Sequence, residues 1–76
     1  MTRFFFDYTA KEQSLLDYGG HEFRSSQAAM EFAEALAQDL KHSLTENWRG
    51  WSVEVRNATG MRLLSLPVDS PELEAA

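Results

Sequence analysis

The sequence predicts an α+β fold in which a single helix packs on one face of a four-stranded antiparallel sheet, in the order β-β-α-β-β. Three stretches carry this: the aromatic run RFFFDY at 3–8, a long alanine-rich run after Ser25 and Ser26, and the alternating WSVEV at 51–55 followed by NATG and MRLLSLP. Helices and strands that are apolar on one side only must bury that side against each other, and one helix over one sheet is the smallest way to do so.

In the first stretch successive side chains of a strand point to opposite faces, so Phe4, Phe6 and Tyr8 share a core while Phe5 looks the other way. TAKEQ suits a loop, and SLLDY, closed by Gly19 and Gly20, predicts a second strand that forms a hairpin with the first. Only one of the adjacent Leu15 and Leu16 is expected to face the core. Ser25 or Ser26 supplies an N-cap hydroxyl. Beyond it Ala29, Ala33, Leu36, Leu40 and Leu44 make one helical stripe, widened by Phe32, with the helix ending near Asn47. Gln27, Glu31, Glu34, Gln38, Lys41 and Thr45 fall on the other side.

In WSVEV, Trp51, Val53 and Val55 share a face. A four-residue loop at 57–60 sets Val53 opposite Leu64 and Trp51 opposite Leu66. A three-residue loop with a bulge sets Leu64 against Glu54, so polarity favours the first register. Met61 and Leu63 then point away from the helix. Pro67 belongs at a strand end or edge. The expected organisation is one domain over 1–68 and a flexible acidic tail over 69–76.

Taken together, RFFFDY, DYGG, the alanine-rich helix, GWSVEV and GMRLLSLP resemble a family of small uncharacterised bacterial domains of unknown function, over Arg3 to Pro67. The resemblance implies the fold and a bacterial, cytoplasmic setting, and it carries over no activity and no catalytic residue. In that pattern an apolar residue stands ahead of LLSLP; here it is Arg62, expected to reach out and pair with a nearby acid.

Composition narrows the function further. The 76 residues include no cysteine, which removes disulfides, thiolate nucleophiles and sulfur-bound metal. No stretch has the length of a signal-peptide core or a membrane span, so a cytoplasmic protein without membrane contact is expected. Twelve acidic against seven basic residues give a net charge of −5, which disfavours nucleic acid. Arg49, Arg56 and Arg62 with Glu46 and Glu54 read as a mixed-charge surface. Asp17, His21 and Glu22 are the nearest approach to a ligand set, without diagnostic spacing. His42 is expected to meet Asp39 on the helix surface. Asn57, Ala58 and Thr59 match a glycosylation sequon that turn chemistry explains. No enzyme, metal, cofactor or small-molecule ligand is inferred.

What remains is surface. On the sheet face away from the helix, Phe5, Met61, Leu63 and one of Leu15 or Leu16 form an apolar patch rimmed by Arg3, Asp7, Ser52, Glu54, Arg56 and Ser65. The partner-binding residues are therefore Phe5, Met61 and Leu63 with Arg3 and Arg56, and the expected partner is a protein, either a second copy or another chain. Two arrangements would close the patch from within: the stems of Arg3 and Arg56 laid over Phe5, or the tail folded back with Leu73 as a plug. Strand addition at an open sheet edge is a further route to association. The alternative function is single-stranded nucleic-acid binding on the same face, with Phe5 stacking on a base and Arg3, Arg49 and Arg56 reaching phosphates.

Overall fold

A computed structural model describes residues 1–69. The chain forms β1 (Thr2–Thr9), β2 (Ser14–Leu15), β3 (His21–Phe23), α1 (Ser26–Lys41), β4 (Ser52–Asn57) and β5 (Arg62–Pro67). All pairings are antiparallel, in the order β2-β1-β4-β5, with β3 beside β2 on the same flank of β1. The sheet thus has five strands rather than four. The expected second strand, SLLDY, is cut short at Leu15, and after the segment at 16–20 an unexpected strand, His21–Phe23, pairs with the start of β1.

α1 lies chiefly over β4 and β5, and its closest face is made of Ala29, Ala33 and Ala37, spaced one turn apart. Residues without bulk there let the helix backbone approach the sheet, so Val53 and Val55 beneath it are fully buried. Phe4, Phe6 and Val68 complete the core, with Phe23, Phe32, Leu36, Leu40, Trp48, Trp51, Leu64 and Leu66 packed around it. Ser25 is the N-cap: its hydroxyl accepts the Ala28 amide at 3.1 Å. The acidic tail expected over 69–76 lies, from residue 70 on, outside the described residues.

The helix stops six residues short of Asn47. His42 caps it, donating its amide to the Gln38 carbonyl at 3.1 Å and turning its ring nitrogen to the same oxygen, so its partner is Gln38 rather than Asp39. Ser43 then draws the amides of Thr45 and Glu46 to its hydroxyl, which competes with further helix. Leu44 is left wholly exposed instead of extending the apolar stripe.

The second hairpin also departs from expectation. The Asn57 carboxamide oxygen accepts from the Thr59 amide, the Thr59 hydroxyl and the Met61 amide, and Gly60 adopts φ +94°. This Asx turn makes a three-residue loop, with the Asn57 amide bonded to the Met61 carbonyl at 2.9 Å. Alone, that loop would set Leu64 against Glu54. Arg62 and Leu63 together oppose Arg56 in a bulge, however, and the extra residue brings Leu64 opposite Val55 and Leu66 opposite Val53. Apolar matching is restored two positions away from the register expected of a four-residue loop. Among the described residues, no helix is long and apolar enough to cross a membrane.

Candidate interaction surface

The face of the sheet away from α1 is shaped by the interruption between β2 and β3. Phe4 pairs with His21 and Tyr8 with Leu15, so three residues of β1 (Phe5, Phe6, Asp7) stand opposite five, 16–20. The two surplus residues push the segment out of the ladder, and Asp17 repairs the gap with its side chain. Its carboxylate accepts the Phe6 amide at 3.1 Å, the Gly19 amide at 3.2 Å and the Gly20 amide at 3.0 Å. Burial pushes the Asp17 carboxyl up, but those three amides and the nearby His21 outweigh it and hold it below the usual carboxylate range.

A carboxyl depressed in the folded state stabilises the fold fully above its unfolded pKa, about 3.9, and loses that contribution as pH falls through the lower folded-state value. In Asp17→Asn the amide nitrogen would face the Phe6 amide, donor against donor. The variant is expected to lose about 1–2 kcal/mol at neutral pH, and the gap from wild type to shrink as pH falls from about 5 to about 2. Urea unfolding across that range checks it; a gap independent of pH would refute the role given to the charge.

Asp7, expected at the rim of the patch, is buried at 5% exposure. Its carboxylate receives Arg56 Nε at 2.7 Å and Nη2 at 3.4 Å, and the Asp17 amide at 2.9 Å. Arg56 Nη2 also donates to the Asp17 carbonyl at 2.9 Å, so one guanidinium ties β1, β4 and the 16–20 segment together. The hydrogen bond to Asp7 is the main reason the Arg56 pKa is raised, against the opposing effect of burial. The same guanidinium carbon stands 4.7 Å from the centre of the Phe5 ring.

Gly20 closes the other side of Phe5. It adopts φ +72°, and a Cβ built on it would lie 2.9 Å from Phe5 Cε2, from Arg3 Cγ and from the Phe4 carbonyl oxygen. Arg3 in turn donates to the Gly19 carbonyl at 2.7 Å and pairs with Glu22 at 3.1 Å. Three of the expected contact residues, Arg3, Phe5 and Arg56, are therefore brought together, but in contact with their own chain. Phe5 ends half-buried, as in the arrangement where Arg56 lies over it.

The other two, Met61 and Leu63, remain exposed, at 61% and 36%. Both belong to the β5 side, where Arg62 pairs with Glu54 at 2.9 Å and the Ser65 hydroxyl donates to Glu54 at 3.4 Å. Leu15 and Leu16 do not join this face. They line a groove of about 290 Å³ on the helix side with Phe6, Tyr8, Asp17, His21, Phe32 and Leu36. Burial first, then the charges of Asp17 and Asp39, pushes the Tyr8 phenol up, so it stays neutral at ordinary pH.

Trp48, just past the expected end of the helix and not among the expected core residues, packs edge-on against Tyr8 and Trp51, with ring centres at 5.6 and 5.2 Å. A tryptophan followed three residues later by another was the available signal. His21 sits between Phe6 and Phe32 rather than in a ligand cluster. Among the described residues no three His, Asp or Glu side chains group as metal ligands. Arg49, at the far end of β4 from Arg56, pairs with Asp69 at 3.3 Å. Of the three arginines assigned to phosphates, Arg3 and Arg56 thus stand beside Phe5 but are engaged within the chain, and Arg49 lies apart from them.

A family model described as "Domain of unknown function (DUF6894)" matches residues 3–69. No curated protein and no solved structure matches the chain.

Proposed function

We propose that this chain, which belongs to the DUF6894 family, is a protein-interaction module without catalytic activity of its own, associating through the β5 side of its open sheet face. The observation behind this is the contrast on that face: Arg3, Phe5, Asp7 and Arg56 are engaged within the chain, whereas Met61 and Leu63 stand exposed at β5, which among the described residues pairs with β4 alone. Met61 and Leu63 are the anchors. Phe5 and Arg56 form the stiff platform behind them, and Arg3 holds the 16–20 segment over Phe5.

Fully burying one such aliphatic side chain is worth roughly 2 kcal/mol, which suits a moderate affinity. A photo-crosslinking amino acid at position 63, compared with one at the exposed Lys11, tests it in cells. Adducts to a polypeptide, its own copy or another, should concentrate at 63. Equal or absent adducts at the two positions would overturn the proposal.

A further inference from the structure

One helix cannot cover the whole sheet. A helix about 10 Å across spans roughly two strands set about 4.8 Å apart. α1 lies chiefly over β4 and β5, and its backbone does not approach β2. The helix side of the β2 margin is therefore left as the groove of about 290 Å³ already described, floored by Phe6, Phe32 and Leu36 and edged by Leu15 and Leu16. Tyr8 stands opposite Leu15 in the ladder and adds its ring to the floor. Leu15 and Leu16 keep 51% and 48% of their surface in solvent. The last described residue, Asp69, follows β5, and both β4 and β1 lie between β5 and this margin.

The fixed charges at the groove are acidic. Asp17 lines it, and no lysine or arginine does. Arg56, which bonds the Asp17 carbonyl, is already balanced by Asp7. On α1, Asp39 stands exposed three residues after Leu36 and has no ion-pair partner among the described residues. Lys11 and Glu12, adjacent in the turn before β2, offset each other. The Tyr8 phenol registers the outcome, since burial, then Asp17, then Asp39 push its pKa up. We propose that this groove docks a basic amphipathic segment of another protein, seating an aliphatic side chain against Leu15, Leu16 and Leu36 and a neighbouring lysine or arginine over Tyr8, facing Asp17 and Asp39. A pocket for a free small molecule encloses about 70–90% of it, whereas two leucines half in solvent leave the occupant's outer side to the rest of a polypeptide. A second copy of this chain would bring a net charge of −5 to an acidic site. The groove is on the other face and margin from Met61 and Leu63, so it goes beyond the β5 reading and does not depend on it.

The test is a titration of the full chain, read by backbone amide chemical shifts, with a peptide of about twelve residues in alternating leucine and lysine pairs. Shifts are expected to concentrate at Leu15, Leu16 and Leu36 while Val53, Val55 and Leu63 hold still, with a Kd below about 1 mM. The same peptide with glutamate for lysine should bind at least roughly tenfold more weakly. Asp39→Asn should weaken the lysine peptide about threefold, as an exposed charge does, and Leu16→Gln about fivefold. Both positions are solvent-exposed, and unchanged shifts at Val53 and Val55 would show that each variant keeps its core. No shift at the groove up to about 5 mM peptide, or equal binding of the glutamate peptide, would overturn the proposal. Hexylamine binding as tightly as the peptide would overturn the polypeptide occupant in favour of a free amine. Crosslinking at position 63 is read separately, so loss of adducts there with groove binding intact would remove only the β5 reading, and the reverse result only this one.

Discussion

Replacing Arg56 by Met is expected to destabilise the domain by about 3 kcal/mol, seen as a loss of roughly 12–24 °C in Tm for a chain of this size. The reason lies with the partner left behind. Asp7 is almost without solvent, and removing the guanidinium strips it of its charged donor while the Asp17 carbonyl loses one as well. The figure sits at the low end for a buried pair because about a quarter of the Arg56 side chain, 27%, stays in solvent. If the cost comes from the orphaned charge, Asp7→Leu combined with Arg56→Met should be more stable than Arg56→Met alone, a coupling that a double-mutant cycle reads directly. Additive losses would show that Arg56 contributes only by packing over Phe5.

Gly20→Ala is expected to cost about 2–4 kcal/mol, from the strain of a positive φ and from overpacking against three atoms at 2.9 Å. One of those atoms is the Phe4 carbonyl oxygen, which belongs to a central strand and cannot swing aside. The cheapest relief is for the 16–20 segment to lift, which would break the Asp17 bonds to Phe6, Gly19 and Gly20. Hydrogen exchange should therefore quicken at the Phe6 amide before the rest of β1. Gly60→Ala and Gly19→Ala are the controls. At Gly60 a Cβ meets open space and only φ +94° is unfavourable, about 1 kcal/mol; Gly19→Ala meets neither obstacle and should be near neutral. Three equal losses would mean that loop flexibility, not the fit against Phe5, sets the cost.

The elements whose evidence is local were legible in the sequence. Ser25 as a cap, the alternation of Val53 with Val55, and the assignment of Phe4 and Phe6 to one face and Phe5 to the other all follow from residues a few positions apart. The misses needed information from further away. Gly19 and Gly20 read as a strand end because a glycine pair usually is one. Here they permit a detour between two short ladders, and His21–Phe23 is too brief to show alternation. The register of the second hairpin depends on a bulge at Leu63 that adds a second one-residue shift to that of the Asn57 turn and so returns the apolar residues to one face, two irregularities that polarity arguments treat one at a time. Asp7 and Arg56 are 49 residues apart, so a surface aspartate in a patch and a buried one holding two strands together look alike in the sequence. Of the candidate contact residues, Met61 and Leu63 kept the exposure expected of them, while Phe5 found its cover in the same chain.

The detour at 16–20 also decides how many molecules can join a row. An intact strand on the outer flank of β1 would give the sheet two open margins, and two margins allow units to add without end into a fibre. Instead that flank offers only two pairs at β2 and three at β3, separated by a loop that turns its amides inward to Asp17. Among the described residues this leaves β5 as the one uninterrupted margin of the sheet, so a strand added from outside would have a single flank to use and a growing row would be blocked at the other.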